Sequence, residues 1–245
     1  MKKLTFFIFI LAAITGSTCK KENRFDLIKR TGKRITETRI LPSFKSIFLK
    51  DNIDLYLSQG PIQEIKVDAG ENLIPLIKME VNADNELHIW NENRCNWARS
   101  YKKGNISVYI TAPSFSTIKH WGSGLIKSLN TITEDTLTIQ THESGDLEMT
   151  INTTIVYAAN TGSSDITLHG KSKLMGNYHN GAGYNRCEDL QADIIWITSE
   201  ASGNDYYYPL HELGVTINWE GDVYYKGNPT VNETVSGKGK LIKLN

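Results

Sequence analysis

Cysteine is scarce in this chain: three in 245 residues, at positions 19, 95 and 187. None stands in a close Cys/His spacing, so no zinc site is suggested. Proline is limited to six residues and no tract is of low complexity, which argues against disorder. An excess of either charge is missing, with 27 basic and 27 acidic side chains. A general nucleic-acid binder needs a clustered basic excess, so that class is set aside. There is no Gly-x-Ser-x-Gly elbow, no phosphate loop and no evident nucleophile–base pair. The sequence therefore names no catalytic residue, metal ligand or cofactor.

Long apolar runs are also missing after the first residues. Met1-Lys2-Lys3 precedes Leu4 to Ile14, an apolar run interrupted only by Thr5. Eleven residues are too few for a spanning helix, which needs ~20. A basic start and a short apolar core read as a secretory signal. The run closes on Gly16-Ser17-Thr18-Cys19, which resembles a bacterial lipoprotein signal cleaved before a lipidated cysteine. The expectation is removal of residues 1–18, a lipid on Cys19, a polar tether over 19–34 and a place at the outer membrane, facing the periplasm or the surface.

What is present is a repeat. From residue 122 onward small-residue triplets recur: Gly122-Ser123-Gly124, Glu143-Ser144-Gly145, Gly162-Ser163-Ser164, Gly181-Ala182-Gly183 and Ala201-Ser202-Gly203. Trp219-Glu220-Gly221 and Val235-Ser236-Gly237 continue the series, with third members 21, 19, 19, 20, 18 and 16 residues apart. Apolar pairs with period 2 flank the triplets, such as Leu147 and Met149 or Ile166 and Leu168. That period belongs to strands with one buried face. Two short strands and a tight corner per ~20 residues cannot bury an apolar face alone, but a stack of such units can. The reading is all-β: a right-handed parallel β-solenoid over 35–245, with irregular coils over 35–115 and regular ones over 116–245. The corner glycines are expected to supply φ > 0. Glu71 to Lys78, with Pro75 inside it, is the one place for a helical turn.

Leu41-Pro42-Ser43-Phe44, Asp51-Asn52-Ile53-Asp54-Leu55, Ala112-Pro113 and Trp121-Gly122-Ser123-Gly124 carry a family resemblance. So does the ending Gly221-Asp222-Val223-Tyr224-Tyr225-Lys226-Gly227-Asn228-Pro229. Over residues 34–245 the chain resembles the putative auto-transporter adhesin, head GIN domain family. The resemblance implies an exported β-helical protein without an established activity.

Three constellations invite a functional reading. Asp146, Asp165, Asp205 and Asp222 follow corners. Stacked carboxylates hold calcium in polysaccharide-cleaving β-helices, so Asp146 and Asp165 define an enzymatic alternative. The plainer expectation is that each aspartate bonds its own turn. His142 and His179 are expected at the surface. Cys187 stands where Met149 and Leu168 stand and is expected in the core, unbonded to Cys95. Aromatic residues crowd the last coils, and Tyr206, Tyr208 and Trp219 are the candidate ligand-binding residues. Alternation puts Tyr206 and Tyr208 on one face and Tyr207 on the other. The function expected is non-enzymatic: an envelope module that binds a glycan or a partner protein. Lys238, Lys240 and Lys243 are expected to guard the last strand against pairing with another chain.

Overall fold

The computed structural model describes residues 31–93 and 105–244; Cys19 and Cys95 lie outside them. Among the described residues, seventeen strands join in one sheet. In the first half these are β1 (Arg34–Arg39), β2 (Ser46–Asp51), β3 (Ile53–Gln59), β4 (Glu64–Gly70), β5 (Ile77–Val81), β6 (Glu86–Asn91) and β7 (Ile106–Ala112). Then follow β8 (Thr117–Gly122), β9 (Ile126–Ser128), β10 (Ile132–Thr141), β11 (Leu147–Asn160), β12 (Ile166–His179) and β13 (Asn185–Ser199). The last are β14 (Asp205–Ile217), β15 (Val223–Tyr225), β16 (Thr230–Val235) and β17 (Leu241–Lys243). The expected helical turn is a 3₁₀ turn at Ile74–Leu76, with Pro75 in its first turn.

From β8 onward each coil lies parallel to the next, its register shifting only within the β12–β13 and β13–β14 pairs, which is a β-solenoid. Period-2 alternation builds its core. Strand β11 buries Leu147, Met149, Ile151 and Thr153, then Val156, Ala158 and Asn160. The alternation slips at Thr154–Ile155, where neither side chain is buried, and the strand bends there. The same slip recurs at Lys173–Leu174 and Asp193–Ile194. One coil thus has two corners, the bend and the Gly/Ser triplet. Each buried Leu, Ile or Val contributes ~1.5–3 kcal/mol, and these columns supply the cohesion of the stack.

The triplets stack in one column, but the glycines serve a different purpose from the one expected. The described glycines with positive φ are Gly32, Gly170 and Gly227, none of them in a triplet. The corner glycines are required by close approach instead. A Cβ on Gly145 would lie 2.4 Å from the Gly124 carbonyl oxygen; on Gly203 it would lie 1.6 Å from that of Gly183. The last triplet also shifts. Gly239 sits over Gly221 and Gly237 over Trp219, so the corner is Gly237-Lys238-Gly239 rather than Val235-Ser236-Gly237. The backbone amides of Lys238 and Gly239 both bond the Trp219 carbonyl, which fixes this register.

Stack order departs from chain order in the first half. Strand β2 pairs in parallel with both β6 and β8, and β3 with both β7 and β9. The earliest coil of the sequence is therefore an inner layer, with later chain on each side. Its corner is Asp51-Asn52: Gly122 lies against the Asp51 carbonyl and Gly124 against that of Ile53. Asp51 adopts φ 62°, and its carboxylate accepts the Asn91 amide at 2.9 Å. Beyond β7 the pairing turns antiparallel, through β4 to β1, and β5 forms an antiparallel pair with β6.

Candidate functional site

Outward columns on the second run of each regular coil form the most developed surface. Seven residues before the last member of each corner triplet stand Thr138, Tyr157, Gly176, Trp196, Gly214 and Asn232, paired in that order. Aromatic and glycine alternate. A Cβ on Gly176 would lie 2.7 Å from Tyr157 Cδ1, and one on Gly214 would lie 2.9 Å from Trp196 Cδ1. Each ring therefore leans across the glycine of the next coil, into space that any other side chain would fill. One side of the ring is covered and the other open, and Tyr157 and Trp196 are 49% and 52% exposed.

Two residues further along each strand runs a second column: Gln140, Ala159, Tyr178, Thr198, Thr216 and Thr234. Tyr178 belongs to the coil between the two leaning rings. Its hydroxyl donates to Glu200 at 2.9 Å and accepts from the Asn180 amide at 3.1 Å. The Trp196 indole N–H donates to Glu212 at 3.4 Å. These polar ties orient the rings. The two columns line a shallow depression of ≈ 860 Å³ in which, among the described residues, no Lys or Arg takes part.

The aromatic residues singled out from sequence occupy other places. Tyr206 and Tyr208 are half-buried on one face and Tyr207 is fully buried, as alternation requires. Tyr206 stacks on Tyr224, with centroids 4.8 Å apart and planes 8° from parallel. Trp219 is exposed at its corner and lines a separate depression with Glu200, Ser202 and Asn218. Tyr157, Tyr178 and Trp196 lie in the same aromatic-rich coils, but crowding alone does not single them out. The signal of Tyr157 and Trp196 is the constant offset of seven, and that of Tyr178 an offset of five, visible once each repeat is laid on the next.

The acidic residues after the corners bond the neighbouring coil rather than their own turn. Asp146 accepts the Asp165 amide and Asp165 accepts the Tyr184 amide, both at 2.9 Å. Asp54 does the same for Leu125, Asn204 for Asp222, and Asp222 for Lys240. A side-chain acceptor thus satisfies an amide of the next layer, and the series breaks where Leu125 and Tyr184 bring no such group. The second Asp165 oxygen takes Arg186 Nε at 3.3 Å.

Asp205 stands one position later, and that single step turns it inward. It is fully buried, with Oδ1 2.8 Å from His179 Nδ1 and accepting from the Asn185 amide at 2.8 Å. His179 is likewise fully buried, which corrects its expected surface position: the column through Thr141, Asn160 and His179 faces the interior. Asn160 links Thr141, Ser164 and Asn185 into the same network. Cys187 is a free thiol in the core beside this network, in the expected place. Burial, reinforced by the Asp205 carboxylate, pushes the Cys187 thiol and the Tyr207 phenol well above their ordinary pKa values. This cluster is sealed from solvent and offers a substrate no approach. Among the described residues no group of three His, Cys, Asp or Glu side chains is arranged to hold a metal.

The model of the family described as "Putative auto-transporter adhesin, head GIN domain" matches residues 43–229. The chain belongs to this family. Among solved structures it is similar to one described as a putative adhesin from Bacteroides fragilis NCTC 9343. The two are 21% identical, with a TM-score of 0.80, covering 86% of this chain and 97% of that one. A putative lipid binding protein from Parabacteroides distasonis ATCC 8503 is 17% identical with a TM-score of 0.67, covering 87% and 98%. A putative adhesin from Parabacteroides merdae ATCC 43184 is 18% identical with a TM-score of 0.63, covering 89% and 99%. At these identities the solved neighbours establish the solenoid fold and no more. No curated protein matches the chain.

Proposed function

We propose that this head GIN protein is a non-enzymatic binding module of the cell envelope, tethered to the outer membrane through a lipid on Cys19, and that it engages an envelope glycan. The observation that carries this is the pair of half-exposed rings, Tyr157 and Trp196, leaning across glycines on a regular sheet face. Aromatic rings held open on one side are stacking platforms, and an extended face of repeated coils suits a long ligand. The enzymatic alternative loses its support, because Asp146 and Asp165 each hold a backbone amide of the next coil.

A glycan array probed with the chain lacking residues 1–18 tests the reading. Tyr157→Ala with Trp196→Ala is expected to lower binding at least tenfold while leaving the thermal midpoint within a few degrees. Loss that instead follows Tyr206→Ala, Tyr208→Ala and Trp219→Ala together moves the site to the last coils. Array binding by neither surface removes the glycan and leaves a partner protein.

A further inference from the structure

The two leaning rings are separated by one coil. Adjacent parallel strands lie ~4.8 Å apart, so Tyr157 and Trp196 present their open sides roughly 10 Å apart along the solenoid axis. Between them the column holds Gly176, across which the Tyr157 ring leans, and Tyr178 stands beside it with its hydroxyl fixed by Glu200 and Asn180. The surface therefore presents one ring for every two coils. Beyond Trp196 the pattern recurs, its ring leaning across Gly214, flanked by Thr216. The polar groups lining the depression are hydroxyls, amides and one carboxylate, Glu233, with no described cation to receive an anionic polymer.

We propose that the ligand is an uncharged, extended β-1,4-linked glycan lying along the solenoid axis, with alternate sugars stacked on Tyr157 and Trp196. This rests on the glycan-binding reading above and specifies the chain it takes. In a β-1,4-linked pyranose chain each sugar is turned about half a revolution from the last and advances by about the width of one coil. Sugars n and n+2 then show the same face and fall on the two rings. Sugar n+1 shows its other face between the two platforms, beside the Tyr178 hydroxyl. An α-1,4-linked chain coils away from a straight axis and cannot keep two sugars on rings so placed. Because the second ring is reached only by the third sugar, the shortest ligand that uses both platforms is a trisaccharide.

Titration calorimetry with cellohexaose, chitohexaose and maltohexaose, and with the di- and trisaccharides of the first two, tests this. The better β-linked hexasaccharide is expected to bind at least tenfold more tightly than maltohexaose. Its affinity series should rise about tenfold between the di- and trisaccharide, the worth of one stacked ring. Trp196→Ala should erase that step and leave the disaccharide within about twofold, and Trp196→Tyr should restore it. Equal binding of α- and β-linked hexasaccharides overturns the proposal, as does a step that survives Trp196→Ala; both leave the face a glycan site. If no glycan binds although the variants fold, the reading beneath it fails as well.

Discussion

His120 is nearly fully buried in the column that continues as Thr141 and Asn160, with its ring against Gly145. Burial lowers its pKa from 6.5 to about 4, opposed only in part by the Asp54 carboxylate and the Gly145 backbone. The ring is thus neutral when folded, while the unfolded chain binds a proton below pH 6.5. More protons on the unfolded side means that stability rises with pH across this window. The proton-linked penalty of His120 is therefore absent well above pH 6.5 and grows as the pH falls towards 4, to on the order of 3 kcal/mol. Urea midpoints at pH 7 and pH 4.5 measure it. His120→Leu, which matches the neighbouring Leu49, should remove most of the fall that the parent shows.

At the scale of the element, the corner column is the most exacting. Gly203→Ala sets a methyl group against the Gly183 carbonyl, and the backbones must part to admit it. The expected cost is about 1–3 kcal/mol, seen as a lower thermal midpoint. Ser202→Ala in the same corner has an exposed side chain with one 3.3 Å bond and should cost far less. The triplets and the apolar pairs after them were legible in sequence because stacking repeats both constraints in every coil. Three matters were not. The Asp51-Asn52 corner has no glycine to announce it, and its partners lie some 70 residues away, so its inner place was hidden. Asp205 looked like Asp146 and Asp165, since a chemical class carries no record of which way a strand residue points. The final triplet was misaligned because Val235-Ser236-Gly237 imitates a corner, while Lys238 breaks the small-residue pattern of the true one. The proposed binding face is hidden for a different reason: Tyr157 and Trp196 are as ordinary as any exposed aromatic until Gly176 and Gly214 are read beside them.

For the whole molecule the open end matters most. Strand β16 is exposed along nearly all of its length, and parallel edges invite another chain. The column that carries Ala158, Ile197 and Val215 through the core ends in Glu233, a charge set where an apolar residue would continue the stack. Lys238 pairs with Glu220 at 2.9 Å and Lys243 donates to Asn228 at 2.6 Å, so these cations are fixed at the rim. Glu233→Val combined with Lys238→Thr, Lys240→Thr and Lys243→Thr should produce dimers and larger species in light scattering. A variant that stays monomeric wherever the parent does would assign the rim charges to solubility alone.

The inner position of β2 and β3 bears on how the chain is born. A solenoid whose coils follow in order can lay each new coil on the one before, growing from a single end as synthesis proceeds. Here the first coil to emerge waits for two separate arrivals, β6 with β7 on one side and β8 with β9 on the other. Growth is bidirectional at first and one-way afterwards. Chains stopped before about residue 128 lack part of the second covering layer, whereas chains stopped at any later corner end on a finished coil. Nascent chains should therefore pass abruptly from protease-sensitive to resistant once β9 is out, and gain resistance coil by coil from there.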